Sequence, residues 1–390
     1  MKYLTSGESH GKSLNAIIEG LPSGFEIEES LINEALKSRQ IGYGRGGRMK
    51  IESDTVEIKS GVRFGKTIGS PICLEIKNKD FENWTNVMSS NPVDLSDEKI
   101  AQEIAQRTIT KPRPAHADLT GVLKYNFEDI RNVLERSSAR ETAIRTAIGS
   151  VCEQILAKFE IRSAAHVLQI GKAYAKNSTF EEVVENSNND LLCADKDAYE
   201  AMKAEIDKAQ EAGDTLGGKV QIIFKNLPVG LGSYVHWDRK IDGLLSQALM
   251  SIQAVKAVEF GLGTSYASST GSEVHDEIFY QNEYKRKTNN AGGIEGGMTN
   301  GEDLVITLTM KAIPTMKKAL KSVDIKTKEE YEAHFERSDT CAVSACAIVA
   351  KAVCATVLCD EFLKKFGGDS FEEIKTNFEN YKSIIKERLS

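Results

Sequence analysis

Two histidines lie in short polar loops where an imidazole could exchange protons with a ligand. His10 is set in Gly7-Glu8-Ser9-His10-Gly11, and His116 in Lys111-Pro112-Arg113-Pro114-Ala115-His116-Ala117-Asp118. Histidine titrates nearest to neutral pH and so serves as a general acid or base, although a single histidine is more often structural. His166, in an expected strand, and His275 and His334, in charged segments, take the structural reading, and His236 stays open. A second group is arginine: Arg39, Arg45, Arg48, Arg113, Arg136, Arg140 and Arg337 occupy loops and element ends rather than long solvated faces. Each alone is most simply a surface charge. Arg45 and Arg48, flanked by glycines, and Arg136 and Arg140, at an expected helix start, suit a ligand with several negative charges. Guanidinium grips carboxylate and phosphate through paired hydrogen bonds.

Three motif matches fail on their context. Gly7 to Gly11 fits G-x-S-x-G, but a nucleophile elbow needs a strand before and a helix after, and here a strand-like segment follows. Ser6 to Ser13 is one glycine short of a phosphate-binding loop. Gly42-Tyr43-Gly44-Arg45-Gly46-Gly47 is formally G-x-G-x-x-G, yet it follows a helix where a dinucleotide fingerprint must follow a strand.

The elements that must position these residues are partly legible. Strands are expected at 14–19, 54–59, 72–76, 161–170, 219–224 and 304–310, and helices at 29–39, 97–105, 195–211 and 241–258. Ser138-Ala139-Arg140-Glu141 reads as a capping box, followed by Ile144, Ala147, Ile148, Val151, Ile155 and Leu156 on one helical face. That pattern predicts a helix from Ser138, with Arg136 to Arg140 at its N-terminus as an anion site. Asp339 precedes a long apolar segment and is expected near the start of that helix, where its dipole favours a carboxylate. Strands and helices mix without a βαβ rhythm, which predicts a mixed α/β architecture rather than a doubly wound sheet.

Composition narrows the class. With 41% hydrophobic and 27% charged residues the chain reads as an ordinary globular protein. No uninterrupted run of about 18 apolar residues and no secretory leader are evident, so the expectation is a cytoplasmic protein with no membrane partner. Net charge of −7 argues against a general nucleic-acid binder. Seven cysteines without a C-x-x-C pair, four of them in the apolar segment near the C-terminus, predict reduced core thiols and no metal site.

Taken together, Gly7-Glu8-Ser9-His10-Gly11, Glu135-Arg136-Ser137-Ser138-Ala139-Arg140-Glu141 and Arg337-Ser338-Asp339 resemble the three signature regions of the chorismate synthase family. The Arg39 to Arg48 region, His116-Ala117-Asp118, Ser251 to Lys256, the glycine- and asparagine-rich Thr288 to Gly301 and Lys311 to Thr315 match in order between them. The resemblance spans about residues 3 to 360. It implies a 1,4-anti elimination of phosphate from 5-enolpyruvylshikimate 3-phosphate to give chorismate, in the shikimate pathway of aromatic amino acid biosynthesis. It also implies reduced FMN as cofactor, with NADPH as a possible source of reductant. The fold implied is one α+β domain over 1–390, a four-layer α-β-β-α sandwich with internal pseudo-duplication and a peripheral tail from about 367, assembled as a homotetramer.

Carried over residue by residue, the resemblance makes His10, His116 and Asp339 catalytic. Arg39, Arg45, Arg48, Arg136 and Arg337 would bind substrate or NADP. Arg136, Ser137, Ser138, Gln253, Ala254, Gly296, Lys311, Ala312, Ile313, Pro314, Thr315 and Arg337 would contact FMN. Three positions depart from the family pattern: Ala115 stands where glycine, Gln253 where asparagine and Ala312 where proline is common. No insertion for a reductase function is seen, so an external flavin reductase is expected as partner. The competing readings are a flavin-dependent oxidoreductase acting on a phosphorylated carboxylate and a non-catalytic binder of phosphorylated metabolites.

Overall fold

Leu14, Ala16 and Ile18 alternate with more exposed neighbours, and the alternation puts all three on the buried face of a strand. The fold was obtained as a computed structural model describing residues 1–46, 53–332 and 339–389. The first part of the chain supplies β1 (Lys2–Ser6), β2 (Ser13–Glu19), α1 (Glu29–Gln40), β3 (Val56–Ser60) and β4 (Ile72–Lys77), followed by α2 (Glu98–Arg107), α3 (Asp118–Tyr125), α4 (Arg131–Ser137) and α5 (Thr142–Ala157). The second part supplies β5 (Arg162–Ile170), β6 (Ala173–Tyr174), α6 (Lys196–Glu211), β7 (Gly218–Lys225), α7 (Ile241–Met250), β8 (Val255–Phe260), β9 (Leu304–Met310), α8 (Val343–Phe366) and α9 (Phe371–Leu389).

Two larger antiparallel sheets result, beside four two-stranded ones among the described residues. The first runs β1-β2-β4-β3, with Leu14 opposite Ile76, Ala16 opposite Leu74 and Ile18 opposite Ile72. The second runs β8-β9-β7-β5-β6, with Ile222 opposite Ile306 and Val167 opposite Val220. Helix α5 packs against β2 and β4 and against α8, which covers β5 and β7. The layers therefore run sheet, helix, helix, sheet, the inverse of the expected α-β-β-α order. The reason is in the two inner helices. In α8, 18 of 24 residues are buried and in α5, 13 of 16, and a helix apolar over most of its circumference must be covered on most sides. Helix α8 is apolar and long enough to cross a membrane by composition alone, but it is the core of this fold. At the crossing of the two helices, a Cβ on Gly149 would stand 2.3 Å from the Ala352 carbonyl oxygen, so only glycine lets them approach this closely.

Two further expectations are corrected. The helix expected over 241–258 ends at Met250, and Val255–Phe260 turns back as a strand paired with β9. Between the helix end and the strand Ala254 takes φ +68°, and its apolar neighbours Ile252 and Val255 kept the helical spacing going in sequence. Ser138 does not form a capping box: its hydroxyl accepts from the Arg140 N–H and leads a short 3-10 turn, Ala139–Glu141, before α5 begins at Thr142. Glu141 instead accepts from the Thr5 hydroxyl. The C-terminal segment from about 367 carries α9, exposed along most of its length, with Ile374 and Phe378 packed against the core, where Phe378 meets Phe159, Phe362 and Phe366.

Candidate active site

The Gly7 to Gly11 segment is the connection of the β1–β2 hairpin, which disposes of both the nucleophile-elbow and phosphate-loop readings. The Gly42 to Gly46 loop leaves α1 and presses against α8, since a Cβ on Gly42 would stand 2.5 Å from the Ser344 hydroxyl. Between these loops and the end of the second sheet lies a cavity of about 600 Å³. Arg39, Arg45, Gly46, His116, Ser137, Ser138, Gln253, Ala254, Lys311, Ile313, Pro314, Thr315 and Asp339 line it, with Ile252, Ala345, Cys346 and Val349 as an apolar floor. Its size and largely apolar lining with a few convergent polar groups suit a small organic ligand.

His116 is held by a buried carboxylate. Its Nδ1 lies 2.5 Å from Asp118 Oδ1, and Arg113 donates to the other oxygen of Asp118 from Nε at 2.9 Å. Burial pushes the Asp118 carboxyl up, but the hydrogen bonds from His116 and Arg113 prevail and hold it well below the usual carboxylate range. Arg113 also reaches Thr315 Oγ1 at 3.4 Å, and Lys311 Nζ donates to the Ala115 carbonyl at 2.6 Å. Burial, helped by nearby Lys256, lowers the Lys311 pKa. These links tie the loop before α3 to the segment after β9. Ala115 sits at φ +61°, which explains why glycine suits this position.

Asp339 is fixed from the opposite wall. Its Oδ1 accepts from the Gly46 N–H at 2.6 Å and its Oδ2 lies 3.3 Å from Arg45 NH1. The expected helix-dipole setting is replaced by this pairing, because α8 begins four residues later with Ala342 as its unassisted cap. Arg45 Nε and Gln253 Oε1 are both buried and have no hydrogen-bond partner among the described residues. A donor and an acceptor left unsatisfied in one cavity call for a ligand that supplies the complements.

Other expected site residues lie elsewhere. Arg136 is at the C-terminal end of α4, not at a helix start, and donates to the Gly7 carbonyl at 3.1 Å and to Thr5. Arg140 is buried against Asp54 at 2.6 Å and Asn78, so the proposed helix-terminal anion site dissolves into structure. Arg39, although it lines the cavity, donates to Thr142 Oγ1 at 3.0 Å and to the Ala139 carbonyl at 3.2 Å. Gly296 lies in a separate hairpin and Ala312 turns toward Gly217; neither lines the cavity. Arg48, Arg337 and His334 lie outside the described residues.

His10 stands beside the cavity rather than in its wall, joined to it where the Ser138 hydroxyl meets Ser9 Oγ at 3.3 Å. Its Nδ1 is 2.9 Å from Glu135 Oε1, and its ring stacks on Trp84 with centroids 4.0 Å apart. Glu135 and Trp84 escaped sequence reasoning. The one signal for Glu135 was its place beside Arg136; nothing marked Trp84.

Comparison with known proteins finds relatives along nearly the whole chain. The family described as chorismate synthase matches residues 1–363. A chorismate synthase of Geobacter sulfurreducens is 52% identical over 398 residues, covering 99% of this chain and 99% of that protein. One of Thermoanaerobacter pseudethanolicus is 52% identical over 388 residues, again covering 99% of each. A crystal structure of a chorismate synthase superimposes with a TM-score of 0.79 at 39% identity, covering 99% of this chain and 98% of that one. The chain belongs to the chorismate synthase family, enzymes that are carbon–oxygen lyases acting on phosphates.

Proposed function

We propose that the chain eliminates phosphate from 5-enolpyruvylshikimate 3-phosphate to give chorismate, with FMN in its reduced form as cofactor. The observation that carries this reading is the cavity with its apolar floor and the unsatisfied Arg45 Nε and Gln253 Oε1. A flat ring system edged with nitrogen and oxygen atoms complements both. Lys311, Thr315 and the backbone of Ala254 belong to the same wall and would hold it. The bound reduced flavin supplies electron density to a substrate losing phosphate, with no net redox change.

The chain's own residues do the rest. Phosphate leaves readily only when its growing charge is neutralised, a task for His10 as proton donor at Nε2 and for Arg45. His116, anchored by Asp118 through Nδ1, holds its ring in one orientation. Asp339 offers a fixed carboxylate for the proton lost from substrate carbon. The same reading takes the chain as one cytoplasmic catalytic domain with an internal pseudo-repeat, assembled as a homotetramer. Its reduced flavin comes from an external reductase, with NADPH as the ultimate reductant; the family resemblance supports these points.

The test is anaerobic phosphate release from the substrate with chemically reduced FMN. Phosphate and chorismate should appear in equal amounts while reductant is not consumed per turnover, and oxidised FMN should support neither. One reductant oxidised per phosphate would convert the reading into a flavin oxidoreductase. No turnover of substrate despite tight binding would leave a metabolite-binding protein.

A further inference from the structure

The environment of His10 is built more deliberately than a surface loop needs. Glu135, whose side chain is 1% exposed, receives four contacts from three groups of the β1–β2 connection through its carboxylate and its carbonyl. The His10 backbone N–H donates to Oε2 at 2.8 Å, His10 Nδ1 lies 2.9 and 3.0 Å from the two oxygens, and the Ser9 N–H donates to the Glu135 carbonyl at 3.0 Å. Arg131, one turn earlier on α4, donates to Oε1 at 3.0 Å. The imidazole is also pinned by its face. It stacks on Trp84 at an interplanar angle of 26°, and Arg107 and Arg131 come within 4.1 and 4.9 Å of the same indole. Trp84 is fixed in turn by Asp80, which accepts from its Nε1 at 2.9 Å.

Both arginines are held by backbone carbonyls. Arg131 donates through Nε to the Arg107 carbonyl at 2.6 Å, and Arg107 donates to the Asn83 carbonyl. They are framing for one histidine. The carboxylate–imidazole pair has the logic of a hydrolytic triad's inner half: an ionised acid at Nδ1 fixes the tautomer and stabilises the imidazolium, leaving Nε2 as the working nitrogen.

The geometry points to Glu135 as the positioning residue for His10, fixing its ring so that Nε2 faces outward and holding the proton that Nε2 delivers to the leaving group. This rests on the elimination proposed above, for which His10 is the acid. The charged groups around the imidazole are Glu8 in its own turn, Glu135 and Arg131 on α4, Arg107 on α2 and Asp80 beneath Trp84. Among the described residues only Glu135 hydrogen-bonds the ring, so the pH dependence of the reaction should follow this contact.

The test compares wild type, Glu135→Gln, His10→Ala and the double variant, all as full-length chain. Glu135→Gln should lower kcat about 10–100-fold with KM changed only a few-fold. The alkaline limb of its pH–rate profile should move to lower pH. In the His10→Ala background the same substitution should cost nothing further, because Glu135 acts through His10. An equal loss in both backgrounds, or an unmoved pH limb, would overturn the assignment by making Glu135 structural. If Glu135→Gln does not fold, Glu135→Asp keeps the charge and shortens the reach; full activity in that variant would also overturn it. Histidine 15N NMR on wild type and the folded variant separates this inference from the proposed reaction. A wild type that turns over no substrate sinks the reaction, whereas His10 titrating identically with and without the Glu135 charge sinks the positioning role alone.

Discussion

At the scale of single residues, the cavity's unsatisfied atoms make the sharpest claim. Replacing Arg45 with Met or Gln253 with Ala should weaken FMN binding by roughly tenfold or more, since a hydrogen bond to a charged or buried group is worth about 1.5–3 kcal/mol. Flavin fluorescence titration reads this directly, and unchanged affinity in both variants would remove those residues from the flavin site. Asp118 gives a pH-dependent counterpart. A carboxyl whose folded pKa is depressed stabilises the fold above its unfolded value, near 4, and that contribution drains away as pH falls from there toward the folded value. Asp118→Asn should therefore be less stable than wild type at pH 7, by about 3–5 kcal/mol for a broken buried pair. The gap should narrow below about pH 4. Urea unfolding at pH 7 and pH 3 decides it, and a gap independent of pH would assign the loss to shape rather than charge. Ala115→Gly should do the opposite of harm, adding about 1 kcal/mol by relieving the left-handed backbone. The histidines were legible in sequence because their loops are polar and short. Glu135 was not, because a glutamate inside a charged motif looks the same whether it faces solvent or is sealed against an imidazole.

Among the elements, the clearest strand in sequence, Leu304 to Met310, has the same bounds in the fold, and α5 carries the buried face that its spacing predicts. Failures cluster where one residue's backbone overrules a pattern. Ala254 reverses the chain inside an unbroken apolar periodicity, and Ser138 turns into a 3-10 segment although its neighbours spell a capping box. The layer order failed for a different reason. A stripe of apolar residues shows that a helix is buried but not what buries it, and only the long apolar run at the start of α8 hinted that it lay inside. The crossing of α5 and α8 tests this arrangement. Gly149→Ala gains about 1 kcal/mol of helix propensity but forces a methyl against the Ala352 carbonyl, and overpacking costs about 1–3 kcal/mol. The steric term should prevail at 2.3 Å. A lower melting temperature is expected; a higher one would mean the helices part easily.

For the molecule as a whole, one hydrophobic core runs through both sheets and the helix pair between them. The cavity forms where loops from the two parts of the chain face each other, so Arg39 and His116 from the first part meet Gln253, Lys311 and Asp339 from the second. Site and core are thus completed by the same late segment. That has a consequence for synthesis on the ribosome. Gly149 and Ala352 are roughly two hundred residues apart in sequence, so α5 emerges long before its partner and must wait with its apolar flank uncovered. A nascent chain stopped before Val343 should be a client for chaperones and prone to aggregate, and the release of α8 from the exit tunnel should be the moment at which the protein becomes protease-resistant.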